Sequence, residues 1–86
     1  MGLTIKEREK REKDQWLKAF GDHLRKVRKE KEISAAELAR LMLMERSHIA
    51  RLEMGRVNPS FYLIKKISVA LEMSIQKFLE DFDSNG

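Results

Sequence analysis

The chain has 86 residues, 42% of them hydrophobic, which is enough to fill the core of one small domain but not of two. Its 18 lysines and arginines exceed its 14 aspartates and glutamates, and the resulting net charge of +4 mildly favours an anionic partner. The lack of cysteine excludes a disulfide framework and a cysteine nucleophile, and no apolar run approaches the roughly 20 residues of a membrane span. With only two widely spaced histidines and no acid–base constellation, we expect a cytoplasmic protein that is not an enzyme, has no membrane segment and needs no metal or cofactor.

Residues 1–13 form a charged N-terminal extension with almost no apolar face, and the domain itself is expected over residues 14–82. Within the extension, Glu7 and Arg11 have the i,i+4 order that supports a helix. Two interpretations remain open, a frayed helical or disordered extension and a basic arm lying on an anionic surface; the interleaved acids argue against the arm. Residues 83–86 are expected to fray.

Helix-forming residues dominate the chain, whereas glycine and proline are scarce, so we predict an all-α fold of five helices joined by short turns. The first packed helix is expected over about residues 14–31, where Phe20, Leu24 and Val27 recur at i, i+4 and i+7. The other four helices are expected over these approximate ranges: 35–41, 46–54, 61–71 and 75–81.

Capping residues define the ends of these predicted helices. Ser34 and Glu37 have the spacing of a capping box at the start of the second helix. Gly55 is expected to end the third helix in a left-handed conformation, and Ser60 and Ser74 are good N-caps for the fourth and fifth helices.

Residues 35–54 contain a short helix, a turn of about four residues and a second short helix, which are the components of a helix-turn-helix. The buried side of this pair is supplied by apolar residues at helical spacing: Leu38, Met42, Ile49 and Leu52. The outer side of its second helix is then left with polar and basic residues: Arg46, Ser47, His48 and Arg51. An exposed helix with two arginines and no acid before Glu53 is an unusual surface.

Over about residues 17–80 the sequence resembles the lambda-repressor-like helix-turn-helix domains of the Cro/CI, or XRE, family. The resemblance is carried by these residues in this order: Leu24, Arg28, Glu37-Leu38-Ala39, Ile49, Leu52-Glu53-x-Gly55, Asn58-Pro59-Ser60, Leu71 and Ile75–Leu79. It implies a five-helix, sequence-specific double-stranded DNA-binding domain that acts as a transcriptional regulator with its third helix in the major groove. It also implies a homodimer that binds the two halves of an inverted repeat about one helical turn apart.

Carried over by position, the resemblance also implies which residues contact DNA. Base contacts fall on the outer side of the third helix, at Arg46, Ser47, His48 and Arg51. Arginine suits this role, because its planar guanidinium can donate two hydrogen bonds to guanine O6 and N7. Phosphate contacts fall at the start of the second helix and around the start of the fourth: Ala35, Arg56, Asn58, Ser60, Phe61 and Tyr62. The alternative for each residue is an ordinary solvated surface or turn position.

Glu53 lies at the C-terminal end of the third helix, where the helix dipole disfavours a carboxylate, so it needs a cationic partner. The resemblance assigns that role to Arg28. We therefore expect a partly buried structural ion pair between Arg28 and Glu53 that fixes the third helix against the first.

The C-terminal segment is more apolar than a small core contact requires, and it is the candidate dimer interface. The residues proposed for it are Met73, Ile75, Phe78, Leu79 and Phe82. The alternative is that these side chains only close the core.

Three positions depart from the family pattern. Leu43 replaces the usual glycine at a positive φ, so the turn is expected to be rebuilt; Ala35 replaces a phosphate-binding glutamine; and Glu45 stands where serine or threonine usually caps the third helix. The competing function is therefore a protein-interaction module that reuses the fold, such as an antitoxin-like binder of an unknown partner. The two outer arginines, Arg46 and Arg51, argue against it.

Overall fold

The computed structural model describes residue 2, residues 4–80 and residue 82, and this part of the chain contains five helices and no strand. The helices are α1 (Ile5–Glu30), α2 (Ala35–Leu41), α3 (Arg46–Glu53), α4 (Phe61–Ala70) and α5 (Ile75–Glu80). The predicted all-α, five-helix fold class is confirmed. The predicted fraying of residues 83–86 concerns positions outside the described residues. In the described ranges, every helix is too short or too polar to cross a bilayer.

Helix α1 begins at Ile5 rather than near residue 14, because its first turn has a complete capping box. The backbone amide of Glu7 donates to Thr4 Oγ1 at 3.1 Å, and the backbone amide of Thr4 donates to Glu7 Oε1 at 3.1 Å. Hydrogen bonds from the Thr4 hydroxyl and backbone lower the pKa of the Glu7 carboxyl. The charged extension thus continues α1 as a solvated helix, with an ion pair of 3.0 Å between Lys10 Nζ and Asp14 Oδ2 one turn further on.

Helices α1 to α4 all end in one way: the residue after the C-cap has a positive φ, and the next amide bonds back to the fifth residue before it. The residues with positive φ are Glu32 (57°), Leu43 (56°), Gly55 (74°) and Glu72 (57°). After α2, for example, the amide of Met44 donates to the carbonyl of Ala39 at 2.8 Å. The turn between α2 and α3 is therefore not rebuilt, and Leu43 adopts the left-handed conformation at a cost of about 1 kcal/mol.

The N-cap of α2 differs in one detail from its prediction. Ser34 Oγ accepts a hydrogen bond from the amide of Glu37 at 3.0 Å, as a capping box requires. The Glu37 carboxylate, however, lies 3.9 Å from Arg40 Nη2, one turn further along the exposed side of the helix. Only the Ser34 half of the box caps the helix.

A single apolar core holds the helices together, with α2 packed on α3, α1 on α3 and α4 on α5. Its buried members are Phe20, Leu24, Val27, Leu38, Ala39, Met42, Ile49, Leu52, Ile64, Ile67, Leu71 and Phe78. Burying each larger side chain stabilises the fold by roughly 1.5–3 kcal/mol. All four residues predicted to be the inner side of the helix-turn-helix belong to this core.

Aromatic rings join α1 to the C-terminal segment. Trp16 stacks on Phe20 with ring centroids 5.5 Å apart, and Phe20 meets Phe78 edge to face at 6.0 Å. His23 lies beside Phe78 and Phe82, and its Nε2 donates to the carbonyl oxygen of Phe78 at 2.6 Å. The sequence alone assigned no role to His23; the structure shows a buried side chain that fixes α5 against α1.

Candidate nucleic-acid interface

Helix α3 has a buried inner side and an exposed outer side. Ile49 and Leu52 are 0% and 1% exposed and anchor the inner side in the core. On the outer side, Arg46, Ser47 and Arg51 are exposed, whereas His48, also predicted to contact bases, is half-buried. The diameter of an α-helix with its side chains, about 10–12 Å, fits a major groove about 12 Å wide.

The two arginines of this outer side are free to bind a ligand. Among the described residues, no ion pair within 4 Å involves Arg46 or Arg51. Ser47 and Arg51 are i,i+4 neighbours on one ridge, and Arg46 stands in the first turn. Glu45 is the N-cap as predicted, but its side chain makes no capping hydrogen bond and is exposed. The outer side therefore combines the exposed guanidinium groups of Arg46 and Arg51 with one carboxylate at its N-terminal edge.

The start of α4 offers a second group of donors. Ser60 Oγ accepts from the amide of Leu63 at 3.0 Å, and the first intrahelical bond joins the amide of Ile64 to the carbonyl of Ser60. The amides of Phe61 and Tyr62 precede that bond, at the positive end of the helix dipole. The remaining predicted phosphate contacts lie near helix starts: Arg56 and Asn58 are exposed in the loop before α4, and Ala35, at the start of α2, is half-buried.

An ion pair between α1 and α3 fixes the C-terminal end of α3. Arg28 Nε donates to Glu53 Oε2 at 2.7 Å, and Arg28 Nη2 donates to Glu53 Oε1 at 3.0 Å. Arg28 Nη1 also donates to the carbonyl of Ile33 at 2.9 Å, and both charged side chains are only 10% exposed. The hydrogen bonds with Glu53 raise the pKa of the Arg28 guanidinium, which stays charged wherever the protein is folded. The predicted partners thus lie together in a bidentate, nearly buried pair.

Gly21 permits the close approach of α1 to the same end of α3. A Cβ atom at this position would overlap the carbonyl oxygen of Glu53 and lie 2.6 Å from that of Leu52. By helix propensity alone, a glycine at this position is only a weak helix former. Its position on the buried stripe, between Leu17 and Leu24, is the signal that could have identified it as a helix-crossing point.

The predicted dimer residues divide into two groups. Phe78 is 0% exposed and closes the core of its own chain, as the alternative interpretation had it, so its ring offers no surface to a partner. The others are partly buried against the core and keep some exposed surface: Met73, Ile75, Leu79 and Phe82. Trp16, 45% exposed, borders this surface through its contact with Phe82.

Comparison with known proteins places this geometry among regulators. A family model described as helix-turn-helix, HTH_3, matches residues 24–78, well over half of the chain. No curated protein matches the sequence. The solved structure of the clp gene regulator ClgR from C. glutamicum is 28% identical, with a TM-score of 0.73, and the match covers 78% of this chain and 86% of that one.

Two further solved structures extend the comparison. The restriction-modification controller protein C.AhdI from Aeromonas hydrophila is 34% identical, with a TM-score of 0.68, over 72% of this chain and 94% of that one. An HTH_3 family transcriptional regulator from Vibrio cholerae shares the fold at 22% identity, with a TM-score of 0.73, over 80% of this chain and 39% of that one. The residues that the family model matches include the helix-turn-helix formed by α2 and α3. The chain belongs to the Cro/CI-like helix-turn-helix family HTH_3.

Proposed function

We propose that the chain binds double-stranded DNA at a specific sequence and regulates transcription by occupying that site. The observation that carries the proposal is the outer side of α3, where Arg46 and Arg51 are exposed and outside any ion pair of the described residues, on a helix whose inner side is fixed in the core. Membership in a family of DNA-binding regulators points to a non-enzymatic protein, and it does not favour the alternative of a module that binds protein instead of DNA.

The bases are read by α3 in the major groove. Arg46 and Arg51 each donate two hydrogen bonds to a guanine, and Ser47, on the ridge of Arg51, donates to or accepts from a neighbouring base. His48, half-buried, contacts the edge of the groove. Such base contacts carry the sequence preference, because contacts with the phosphates are the same for every sequence.

The phosphates are bound on either side of α3. The free amides of Phe61 and Tyr62 at the start of α4 and the side chains of Arg56, Asn58 and Ser60 contact one phosphate run. The start of α2 contributes only a backbone amide, that of Ala35, because alanine has no polar side chain. These contacts set the register in which α3 enters the groove.

A homodimer presents two copies of α3 to an inverted repeat. Its interface is formed by half-buried apolar residues of the C-terminal segment: Met73, Ile75, Leu79 and Phe82. A twofold axis makes this patch face its own copy, and the two recognition helices then reach half-sites roughly 34–36 Å apart.

Selection of bound sequences from a random duplex pool tests the proposal. We expect an enriched inverted repeat with guanines at fixed positions, bound with an affinity that falls steeply as salt rises, because bound lysines and arginines displace counterions. The variant R46A/R51A should bind no sequence preferentially, whereas R8A, which removes an exposed arginine from the charged extension, should retain the wild-type preference. A pool with no enrichment above nonspecific binding would contradict the proposal.

A further inference from the structure

A groove on the surface lies between the end of α2, the turn that follows it and the outer side of α4. Its volume is about 330 Å³. We call it the α2–α4 groove; its principal lining residues are Leu41, Leu43, Tyr62, Lys65, Lys66 and Val69. None of the side chains on the outer side of α3 lines it.

Apolar side chains in this groove are exposed although the core of the chain is filled. The exposed fractions are 94% for Leu43, 69% for Tyr62, 64% for Val69 and 45% for Leu41. Single exposed apolar residues are ordinary on a protein surface, but four of them around one groove are typical of an interaction site.

Leu43 is the most informative of the four. It has a φ of 56°, which glycine adopts freely and a leucine adopts only with strain. A side chain that is 94% exposed gains almost no burial in return. The side chain of Leu43 therefore contributes little to the fold of its own chain and is available for contact with another molecule.

The charge and size of the groove indicate what kind of molecule could bind there. Lys65 and Lys66 line the groove, and among the described residues neither is in an ion pair within 4 Å. The Lys66 Nζ atom lies 6.0 Å from the centroid of the Tyr62 ring, which keeps its charge at the apolar surface. A groove of about 330 Å³ with an apolar floor and two lysines at its side fits one apolar side of a short helix that carries acids.

We propose that the α2–α4 groove binds a short amphipathic helix of another protein. Apolar residues of that helix at i and i+4 enter the groove against Leu43 and Val69, and its aspartates or glutamates face Lys65 and Lys66. The side chain of Tyr62 takes part, whereas only the backbone amide of Tyr62 belongs to the proposed phosphate contacts. The inference adds a protein partner to DNA binding and does not depend on α3.

Selection from a displayed library of helical peptides, with the full chain as bait, tests the proposal. We expect enriched peptides to combine apolar residues at i and i+4 with flanking acids, and their lysine-substituted counterparts to bind at least tenfold more weakly. We expect the acidic peptides to bind the protein variants L43G and K65E/K66E at least tenfold more weakly than they bind the wild type. The control variant I5A removes an apolar side chain that is 76% exposed outside the groove, and it should bind as the wild type does.

The variant L43G keeps the test independent of folding, because glycine suits the left-handed turn and its Tm should be no lower than that of the wild type. No enrichment, enrichment of basic peptides, or equal binding to L43G would overturn the proposal. A wild-type dimer that L43G converts to a monomer would assign the groove to a second copy instead. Loss of affinity for the selected duplex in folded L43G would assign it to DNA; retained duplex binding with lost peptide binding supports the proposal.

Discussion

The inner and outer sides of α3 serve different purposes. On the inner side, Ile49 and Leu52 are buried, and Arg28 of α1 binds the Glu53 carboxylate. These contacts fix α3 against the core and against α1. On the outer side, Arg46 and Arg51 are exposed and contribute nothing to the core. One set of residues thus positions α3, and another is left exposed for the base contacts that we propose. Substitutions on the inner side should therefore change stability, and those on the outer side should change binding.

The largest effect is expected for Glu53→Gln. Loss of the carboxylate charge leaves the nearly buried Arg28 guanidinium without its counter-ion, and breaking such a pair costs roughly 3–5 kcal/mol. We expect the free energy of unfolding, measured by urea denaturation, to fall by an amount in that range. Glu37→Gln is the control, because its exposed ion pair of 3.9 Å with Arg40 should contribute under about 0.5 kcal/mol. An unchanged Tm for Glu53→Gln would show that the pair does not fix α3.

Gly21→Ala is expected to destabilise the fold by about 1–3 kcal/mol, because the added methyl meets the carbonyl oxygens of Leu52 and Glu53. Helix propensity alone predicts the opposite sign, a gain of up to about 1 kcal/mol. Chemical denaturation distinguishes these two expectations, because they give the change in the free energy of unfolding opposite signs. A stabilised Gly21→Ala variant would mean that α1 and α3 do not approach each other as closely as described.

Leu43→Gly is expected to raise the free energy of unfolding by up to about 1 kcal/mol, because it relieves the left-handed strain while losing no buried surface. Gly55→Ala is the converse control: its φ is 74° and a Cβ there would lie 3.0 Å from the backbone of Lys18, so stability should fall. Thermal denaturation of the two variants measures both effects. A lower Tm for Leu43→Gly would contradict the assigned turn.

The smallest effect on stability is expected for Arg51→Ala, on the outer side of α3. Because its side chain is exposed and outside any ion pair of the described residues, the free energy of unfolding should change by no more than about 0.5 kcal/mol. Affinity for the selected duplex should nevertheless fall by about 1–3 kcal/mol. A large loss of stability would place Arg51 among the residues that hold α3 and end the division between its two sides.

Most helix ends were predictable from local sequence. Ser34, Ser60 and Ser74 cap α2, α4 and α5 as expected, since a side-chain oxygen needs only the amide three residues later. The ends of α3 also follow from Glu45 and Gly55, and α2 to α5 lie close to their predicted ranges, whereas α1 begins well before its own.

What sequence analysis missed depends on residues far apart in the chain or on competing local bonds. The roles of Gly21 and His23 come from α3 and α5, whose contacting residues lie about 30 to 55 positions away. The early start of α1 depends on the Thr4–Glu7 box, which has the same pattern as the Ser34–Glu37 pair that forms only half of one. Pattern alone does not decide which glutamate turns back to its cap.

The most direct test of the central claim is the base preference of Arg51→Ala, measured at every position of the selected duplex beside that of the wild type. We expect preference for guanine to be lost at one position in each half-site, while the other positions keep theirs and the variant remains folded. Uniform weakening at all positions would contradict it, since that is the behaviour of a residue that contacts only phosphate.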